Sequence, residues 1–185
     1  VIDATGKYVI PGLIDSHVHF QDPGFTDRED FEHGTAAGAA GGVTTAISHP
    51  LNDPPIVDKA SYDFTVKAYK GRGVIDYGIH GGGTPTNIDQ VDDLWKNTGA
   101  ASIKMFMCFS VAEFPYVQDD ALYQILKKVA ENDGLAMIHA ENNEMIAWKE
   151  RQLKAEGRND PMAYHESHCA EGELESVKRA LYFIE

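Results

Sequence analysis

Residues 9–20 read VIPGLIDSHVHF, an apolar run that ends in two histidines separated by one residue. Side chains on a β-strand alternate between two faces, so His17 and His19 point the same way if this run is a strand. Two imidazoles on one face can bind the same metal ion. The stretch Leu13–Phe20 is therefore predicted to be a strand that carries a pair of metal ligands at its carboxyl end.

The composition indicates an ordinary globular protein. Of the 185 residues, 43% are hydrophobic and 24% are charged, a balance that is typical of folded domains. The formal net charge of −13 repels phosphates and anionic lipids, so neither nucleic acid nor a membrane is an expected partner. The two cysteines, Cys108 and Cys169, are not spaced as a zinc-ligand pair, and no signal peptide is recognised. A cytoplasmic location is expected.

After the first strand, short β-branched runs alternate with amphipathic stretches. The further predicted strands are Val43–Ser48, Val74–His80, Ser102–Met107 and Leu135–His139. The predicted helices are Arg28–Gly38, Lys59–Tyr69, Ile88–Lys96, Asp120–Glu131, Glu144–Ala155 and Glu171–Phe183. This alternation is typical of parallel βαβ units.

The alternation predicts an α/β fold that corresponds to the first five βα units of a (β/α)8, or TIM, barrel. Residues 1–10 are expected to form the end of a small β domain, with a hairpin in residues 1–7. Residues 11–185 are expected to form the N-terminal part of the (β/α)8 catalytic domain. The alternative is an open five-stranded sheet, in which ligands would bind where the strand order reverses.

Two further residues with metal-binding potential lie in the last parts of predicted strands. Lys104 lies within Ser102–Met107, and His139 ends Leu135–His139. The carboxyl ends of parallel strands meet at one edge, where the loops form a site. A lysine in an apolar strand is costly to desolvate unless its charge is paired, its pKa falls or its amine is modified. A neutral amine can react with carbon dioxide to give an anionic carbamate that bridges two cations. Taken singly, Lys104 could instead extend to solvent, and His139 could be a hydrogen-bonded core residue.

Four motifs resemble those of the cyclic amidohydrolases, which include allantoinase, dihydropyrimidinase (hydantoinase) and dihydroorotase. They are PGLIDSHVHF at residues 11–20, AAGGVTT at 39–45, KMFM at 104–107 and HAEN at 139–142. The resemblance implies a hydrolase that opens a cyclic amide or ureide ring with a metal-bridging hydroxide. It implies two divalent metal ions, expected to be zinc. His17 and His19 would bind the more buried ion, a carboxylated Lys104 would bridge, and His139 would bind the second ion.

The resemblance also implies residues that this chain does not contain. The family supplies a further histidine from the sixth strand and a catalytic aspartate from the eighth, and both are expected beyond Glu185. No catalytic residue is therefore assigned within the chain, and the chain alone is expected to be inactive. The full-length protein is expected to be a homo-oligomer.

Positions near the expected substrate favour allantoinase within the family. Gln21 stands where dihydroorotase-like sequences have an arginine that pairs with the substrate carboxylate. Phe109 stands where hydantoinase-like sequences have a hydrogen-bonding tyrosine. Gln21 and Asn52 are the candidate substrate-binding residues, since the Asn52 amide offers both a donor and an acceptor. Hydantoinase, dihydroorotase and a non-catalytic relative remain the alternatives.

The remaining histidines are not assigned to the metal ions. His49 ends the second predicted strand and could contact substrate, but allantoinase-like sequences usually have an apolar residue there. A solvated or helix-capping role is expected for His33, His80, His165 and His168. The four predicted ligands are expected to converge within about 4–8 Å of one point, because metal–ligand bonds are about 2 Å long.

Overall fold

A computed structural model describes residues 1–184 as parallel β-strands joined by α-helices. The strands are β1 (Leu13–Val18), β2 (Val43–Ser48), β3 (Asp76–Gly82), β4 (Ala100–Phe106) and β5 (Ala136–His139). The helices are α1 (Phe31–Ala40), α2 (Lys59–Tyr69), α3 (Val91–Lys96), α4 (Asp119–Glu131), α5 (Asn143–Ala155), α6 (Pro161–Ser167) and α7 (Ala170–Tyr182). A short 3₁₀ turn, Ile88–Gln90, leads into α3.

The strands form one sheet in the order β1-β2-β3-β4-β5, so each strand pairs with the next one along the chain. All four pairings are parallel. The strand order does not reverse anywhere in residues 1–184, which excludes the alternative of an open sheet with a switch point. The sheet is instead the first part of a (β/α)8 barrel, as predicted.

The alternation of side chains divides the sheet into an apolar face and a polar face. On β4, Ile103 and Met105 belong to the hydrophobic core that also includes Ile125 of α4. Ser102 and Lys104 point to the opposite face, where Ser102 Oγ lies 2.8 Å from His80 Nδ1. The helices cover the apolar face, and the polar face corresponds to the inside of the barrel.

Helix α4 shows why the helices pack on that face. Its buried residues are Ala121, Leu122, Ile125, Leu126 and Val129, which recur at the three- and four-residue spacing of one helix face. Full burial of each large apolar side chain contributes about 1.5–3 kcal/mol. Helix α1 also packs closely on the segment that follows β1, because a Cβ on Gly34 would lie 2.6 Å from the Phe20 ring.

The structure departs from the sequence-based expectations in three places. Residues 1–12 contain no strand, and a turn closed by the Lys7 N–H on the Ala4 carbonyl oxygen stands where a hairpin was predicted. The division of the chain at residue 10 stays a prediction. Helix α6 was not predicted. The helical spacing of Trp148 with other apolar residues predicts a core position, but its side chain is 52% exposed. No helix in residues 1–184 is long and apolar enough to cross a membrane.

Candidate metal centre

The two histidines of the His-x-His pair lie at the carboxyl end of β1. Val18 lies between them and packs against the hydrophobic core, so strand alternation turns His17 and His19 to the polar face. Their ring centroids are 5.4 Å apart. Partial burial lowers the pKa of both imidazoles, which favours the neutral form that binds metal ions.

A third histidine lies against this pair. The His49 backbone N–H donates to the Val18 carbonyl oxygen at 2.8 Å, which holds the end of β2 beside the pair. The His49 ring stacks on His17 with centroids 3.9 Å apart. One ligand atom from each of His17, His19 and His49 lies within 4.8 Å of the other two. Burial, followed by the nearby charges of His17 and Lys104, lowers the pKa of His49 to about 2.

Lys104 lies on β4 with only 3% of its surface exposed. Its ammonium lies 4.7 Å from the centroid of the Phe106 ring, and no carboxylate in the described part of the chain forms a salt bridge with it. Burial lowers the pKa of Lys104 to about 8. A larger fraction of its amine is therefore neutral near pH 7 than for a solvated lysine.

His139 ends β5 directly beside Phe106, its register partner on β4. Its Nε2 lies 2.6 Å from Glu141 Oε2, and the Cys108 thiol donates to the same oxygen at 3.8 Å. The Cys108 side chain is buried, which raises the pKa of its thiol to about 11. Cys108, His139 and Glu141 form a second group of ligand-type side chains, whose candidate ligand atoms lie within 4.8 Å of one another.

Strand register places the two groups at one edge of the sheet, because Lys104 on β4 pairs with Gly82 on β3 and Phe106 on β4 pairs with His139 on β5. The charge of Lys104 lowers the pKa of His17, His19, His49 and His80. The charge of His139 lowers the pKa of His17 as well. Coulomb interactions of this kind need short separations. The structure therefore brings the residues predicted on β1, β4 and β5 to one mouth at the carboxyl edge of the sheet.

The two candidate substrate residues lie beside this mouth and line one small cavity. Gln21 is half-buried in the loop after β1. The next residue, Asp22, is buried and forms a salt bridge with Arg72 at 2.6 Å. Asn52 is also buried, and its amide Nδ2 donates to the Asp22 carbonyl oxygen at 2.7 Å. The Asn52 amide N–H therefore already donates a hydrogen bond within the protein, whereas Asn52 Oδ1 has no hydrogen-bond partner among the described residues.

Three residues of this region were missed or read differently from the sequence. His80 is buried rather than solvated, and its two ring nitrogens lie 3.0 Å from the Ser16 carbonyl oxygen and 2.8 Å from Ser102 Oγ. Glu141 was not singled out, although it lies two residues after a strand-end histidine. His49 was considered for substrate alone. Its place at the end of β2 was the signal that could have grouped it with the other strand-end residues.

The donor set fits divalent metal ions of the zinc type. Neutral imidazole is a preferred ligand of such ions. Both ring nitrogens of His49 are buried without a hydrogen-bond partner in residues 1–184, and the buried amine of Lys104 lacks a counter-charge. Groups left in this state inside a protein are normally satisfied by a bound ion, a ligand or an ordered water.

Comparison with known proteins identifies the family. Residues 8–182 match the amidohydrolase family. The chain belongs to this family. It is 38% identical over 186 aligned positions to an allantoinase from Deinococcus radiodurans, an alignment that covers 100% of the chain and 41% of the allantoinase. It is 35% identical to an L-hydantoinase from Paenarthrobacter aurescens, across 97% of the chain and 40% of that enzyme.

Solved structures of the family share the fold. An L-hydantoinase (dihydropyrimidinase) from Arthrobacter aurescens superposes with a TM-score of 0.94 at 34% identity, covering 98% of this chain and 41% of the hydantoinase. The predicted family and the partial TIM barrel are thus confirmed. The chain spans about two-fifths of the length of these amidohydrolases.

Proposed function

We propose that the full-length protein is a metal-dependent hydrolase that opens a cyclic amide or ureide ring, with an allantoinase-like substrate. One observation carries the proposal. The imidazoles of β1, the buried amine of Lys104 and His139 of β5 share one mouth at the carboxyl edge of an amidohydrolase-family sheet. A non-catalytic scaffold has no need for a buried lysine without a counter-charge on that face.

The residues of this chain would hold two divalent ions, with zinc as the proposed metal. His17 and His19 would bind one ion, His139 would bind the other, and Lys104 would bridge them as a carbamate. When bound, the two cations would supply a hydroxide nucleophile near neutral pH and would polarise the scissile carbonyl. An amide is unreactive towards neutral water, so this activation is what ring opening needs.

Lys104 has the environment that carbamate formation requires. Its neutral amine adds to carbon dioxide, forming an N–C bond and releasing one proton, and the product is an anion in place of a cation. Burial favours the neutral amine. The change of sign would replace a cation, whose charge disfavours the protonated forms of His17 and His19, with an anion that attracts divalent metal ions.

Gln21 and Asn52 are the proposed substrate contacts. The Asn52 Oδ1 atom lacks a partner among the described residues, so it can accept a hydrogen bond from an N–H of the ring or ureide. The Gln21 side chain cannot form the ion pair that an arginine would form with a carboxylate-bearing substrate. These features favour an uncharged ureide ring. The proton carrier is expected to be an aspartate outside this chain.

Hydantoinase is the second candidate, because a solved hydantoinase superposes with a TM-score of 0.94. Phe109, which is 62% exposed, argues against it, since a phenyl ring cannot donate to the ring carbonyl. The two free cysteines agree with the proposed cytoplasmic location. A homo-oligomeric state is proposed for the full-length protein.

Activity of the full-length protein decides between these functions. After zinc and bicarbonate are supplied, allantoin, hydantoin, dihydrouracil and dihydroorotate are tested as substrates. We expect the highest kcat/KM with allantoin, loss of activity with a chelator and recovery with zinc. Preference for hydantoin or dihydrouracil would support the second candidate. No turnover of any of the four by a folded, metal-loaded protein would contradict the proposal and favour a non-catalytic relative.

A further inference from the structure

His49 differs from an ordinary buried histidine in having no polar partner. It is 1% exposed, and both Nδ1 and Nε2 lack a hydrogen bond within residues 1–184. Burying a polar group without a partner destabilises a protein, because the group loses its hydrogen bonds to water. Buried histidines are therefore normally hydrogen-bonded, and an exception indicates a further group, such as a metal ion or an ordered water, that satisfies the ring.

The neighbouring His80 provides an internal comparison. Its ring centroid lies 5.0 Å from that of His49, and it is buried to a similar extent. Both nitrogens of His80 have partners, in the Ser16 carbonyl oxygen and Ser102 Oγ. Of these two neighbouring buried imidazoles, His80 therefore has hydrogen-bond partners at both nitrogens, whereas His49 has none within residues 1–184.

The His49 ring lies against the His-x-His pair. Strand pairing fixes this position, because Ser48 is the register partner of Val18 and the His49 N–H bonds to the Val18 carbonyl oxygen. Three nitrogens bound to one tetrahedral zinc ion lie about 3.4 Å apart. The candidate ligand atoms of His17, His19 and His49 are within 4.8 Å of one another, so small ring rotations can bring them to that spacing.

We propose that His49 is a third imidazole ligand of the metal ion that His17 and His19 hold. The inference rests on the metal site of the proposed function and adds a ligand from β2 to it. Three imidazoles select zinc or another late transition metal over magnesium, which prefers oxygen ligands. The site would then hold its ion even before Lys104 is carboxylated.

The test compares zinc binding by the full-length protein and by its His49→Leu variant, with His165→Gln as the control. His165 is exposed and forms no hydrogen bond through its side chain in the described residues. Changes outside the ligand shell typically reduce metal affinity about 10–100-fold. We therefore expect His49→Leu to weaken binding of one zinc ion by at least about 100-fold, with no change in His165→Gln. Cobalt-substituted protein should show a changed visible absorption spectrum in His49→Leu alone.

A second measurement tests the proposal even if the His49→Leu variant fails to fold. In a crystal structure of the zinc-loaded full-length protein, a His49 nitrogen should lie about 2.0–2.1 Å from zinc. A His49 nitrogen more than about 3 Å from a zinc ion that His17 and His19 bind would overturn this inference and leave the proposed function intact. An unchanged cobalt spectrum with a raised KM in His49→Leu would likewise overturn it, in favour of a substrate contact. A folded full-length protein that binds no divalent metal would overturn both proposals.

Discussion

Lys104 is the residue on which the proposed chemistry depends most. Its amine is buried on the polar face of the sheet, without a carboxylate partner in the described residues, and a carbamate there would bridge the two metal ions. We expect Lys104→Ala in the full-length protein to lose most of its activity and part of its bound metal. Measurement of kcat together with metal content by atomic absorption checks this expectation.

The Lys104→Ala variant also allows a rescue experiment. A short-chain carboxylate such as propionate can occupy the gap left by the side chain and should restore part of the activity. Lys127→Ala is a matched control, because Lys127 is exposed on α4 and, within residues 1–184, its one salt bridge is a long contact of 3.9 Å to Glu131. Full activity in Lys104→Ala without added carboxylate would show that Lys104 has only a structural role.

Glu141 is expected to position His139. Its carboxylate lies 2.6 Å from His139 Nε2, so Nδ1 is the ring nitrogen that would be available to a metal ion. A carboxylate in this position fixes the orientation and tautomer of a ligating imidazole. We expect Glu141→Gln to weaken binding of the second metal ion about 10–100-fold, as measured by competition with a chelator. Glu144→Gln, a change at a nearby exposed residue, should have no effect. Equal affinities in the two variants would contradict this role.

The sequence was sufficient to put His17, His19 and His139 at the carboxyl ends of strands, because strand periodicity and strand ends are local properties, and their role as metal ligands stays a prediction. It was insufficient for His49 and His80, since both are buried histidines and only their neighbours distinguish them. His80 has partners from β1 and β4, which no sequence spacing reveals. Asn52 was predicted to offer a donor to substrate, but the backbone of Asp22 already uses that donor.

At the scale of the elements, α2 illustrates a boundary that the sequence defines. The Asp58 side chain accepts from the Ser61 N–H at 2.7 Å, and Ser61 completes a capping box. We expect Asp58→Ala to lower the free energy of unfolding by about 1 kcal/mol, because one helix N–H loses its partner.

Urea denaturation of the full-length protein measures this loss. Asp63→Ala on the same helix is the control, since it removes only the exposed pair with Lys59, worth about 0.3–0.5 kcal/mol. A cost for Asp58→Ala that does not exceed the control would show that the cap contributes little.

Most element boundaries were predicted to within about two residues. Helix α1 begins at Phe31 rather than Arg28, because Asp30 is its N-cap. Helix α6 was missed although Asp160 caps it and Pro161 occupies its first turn. A helix of this length shows too little apolar periodicity to stand out, so only its capping signal could have indicated it.

At the scale of the whole molecule, the chain has two sheet edges within its described residues, along β1 and β5. Unpaired strand edges favour association with other chains. We expect the 185-residue chain, expressed alone, to aggregate and to have no ring-opening activity. Light scattering and the zinc-supplemented allantoin assay check this. Turnover comparable with that of the full-length protein would contradict both the predicted aspartate outside the chain and the need for further strands.

The architecture itself was largely predictable, because alternating βα units and short connections leave few possible topologies. Periodicity alone could not exclude an open sheet with a reversed strand order. The observed pairing of each strand with the next one excluded that alternative. The division between residues 1–10 and the rest could not be derived from residues that form only a turn.

The sequential strand order has a consequence for folding and stability. Each strand pairs with its chain neighbour across a connection that contains a helix, and within the described residues β1 and β5, at the two ends of the sheet, are not paired with each other. His17 lies on the first strand and His139 on the last. A metal cluster that binds both would act as a reversible cross-link that closes one long loop across the sheet. The free energy of metal binding would then be partly free energy of folding, and a chelator would denature the protein as well as inactivate it.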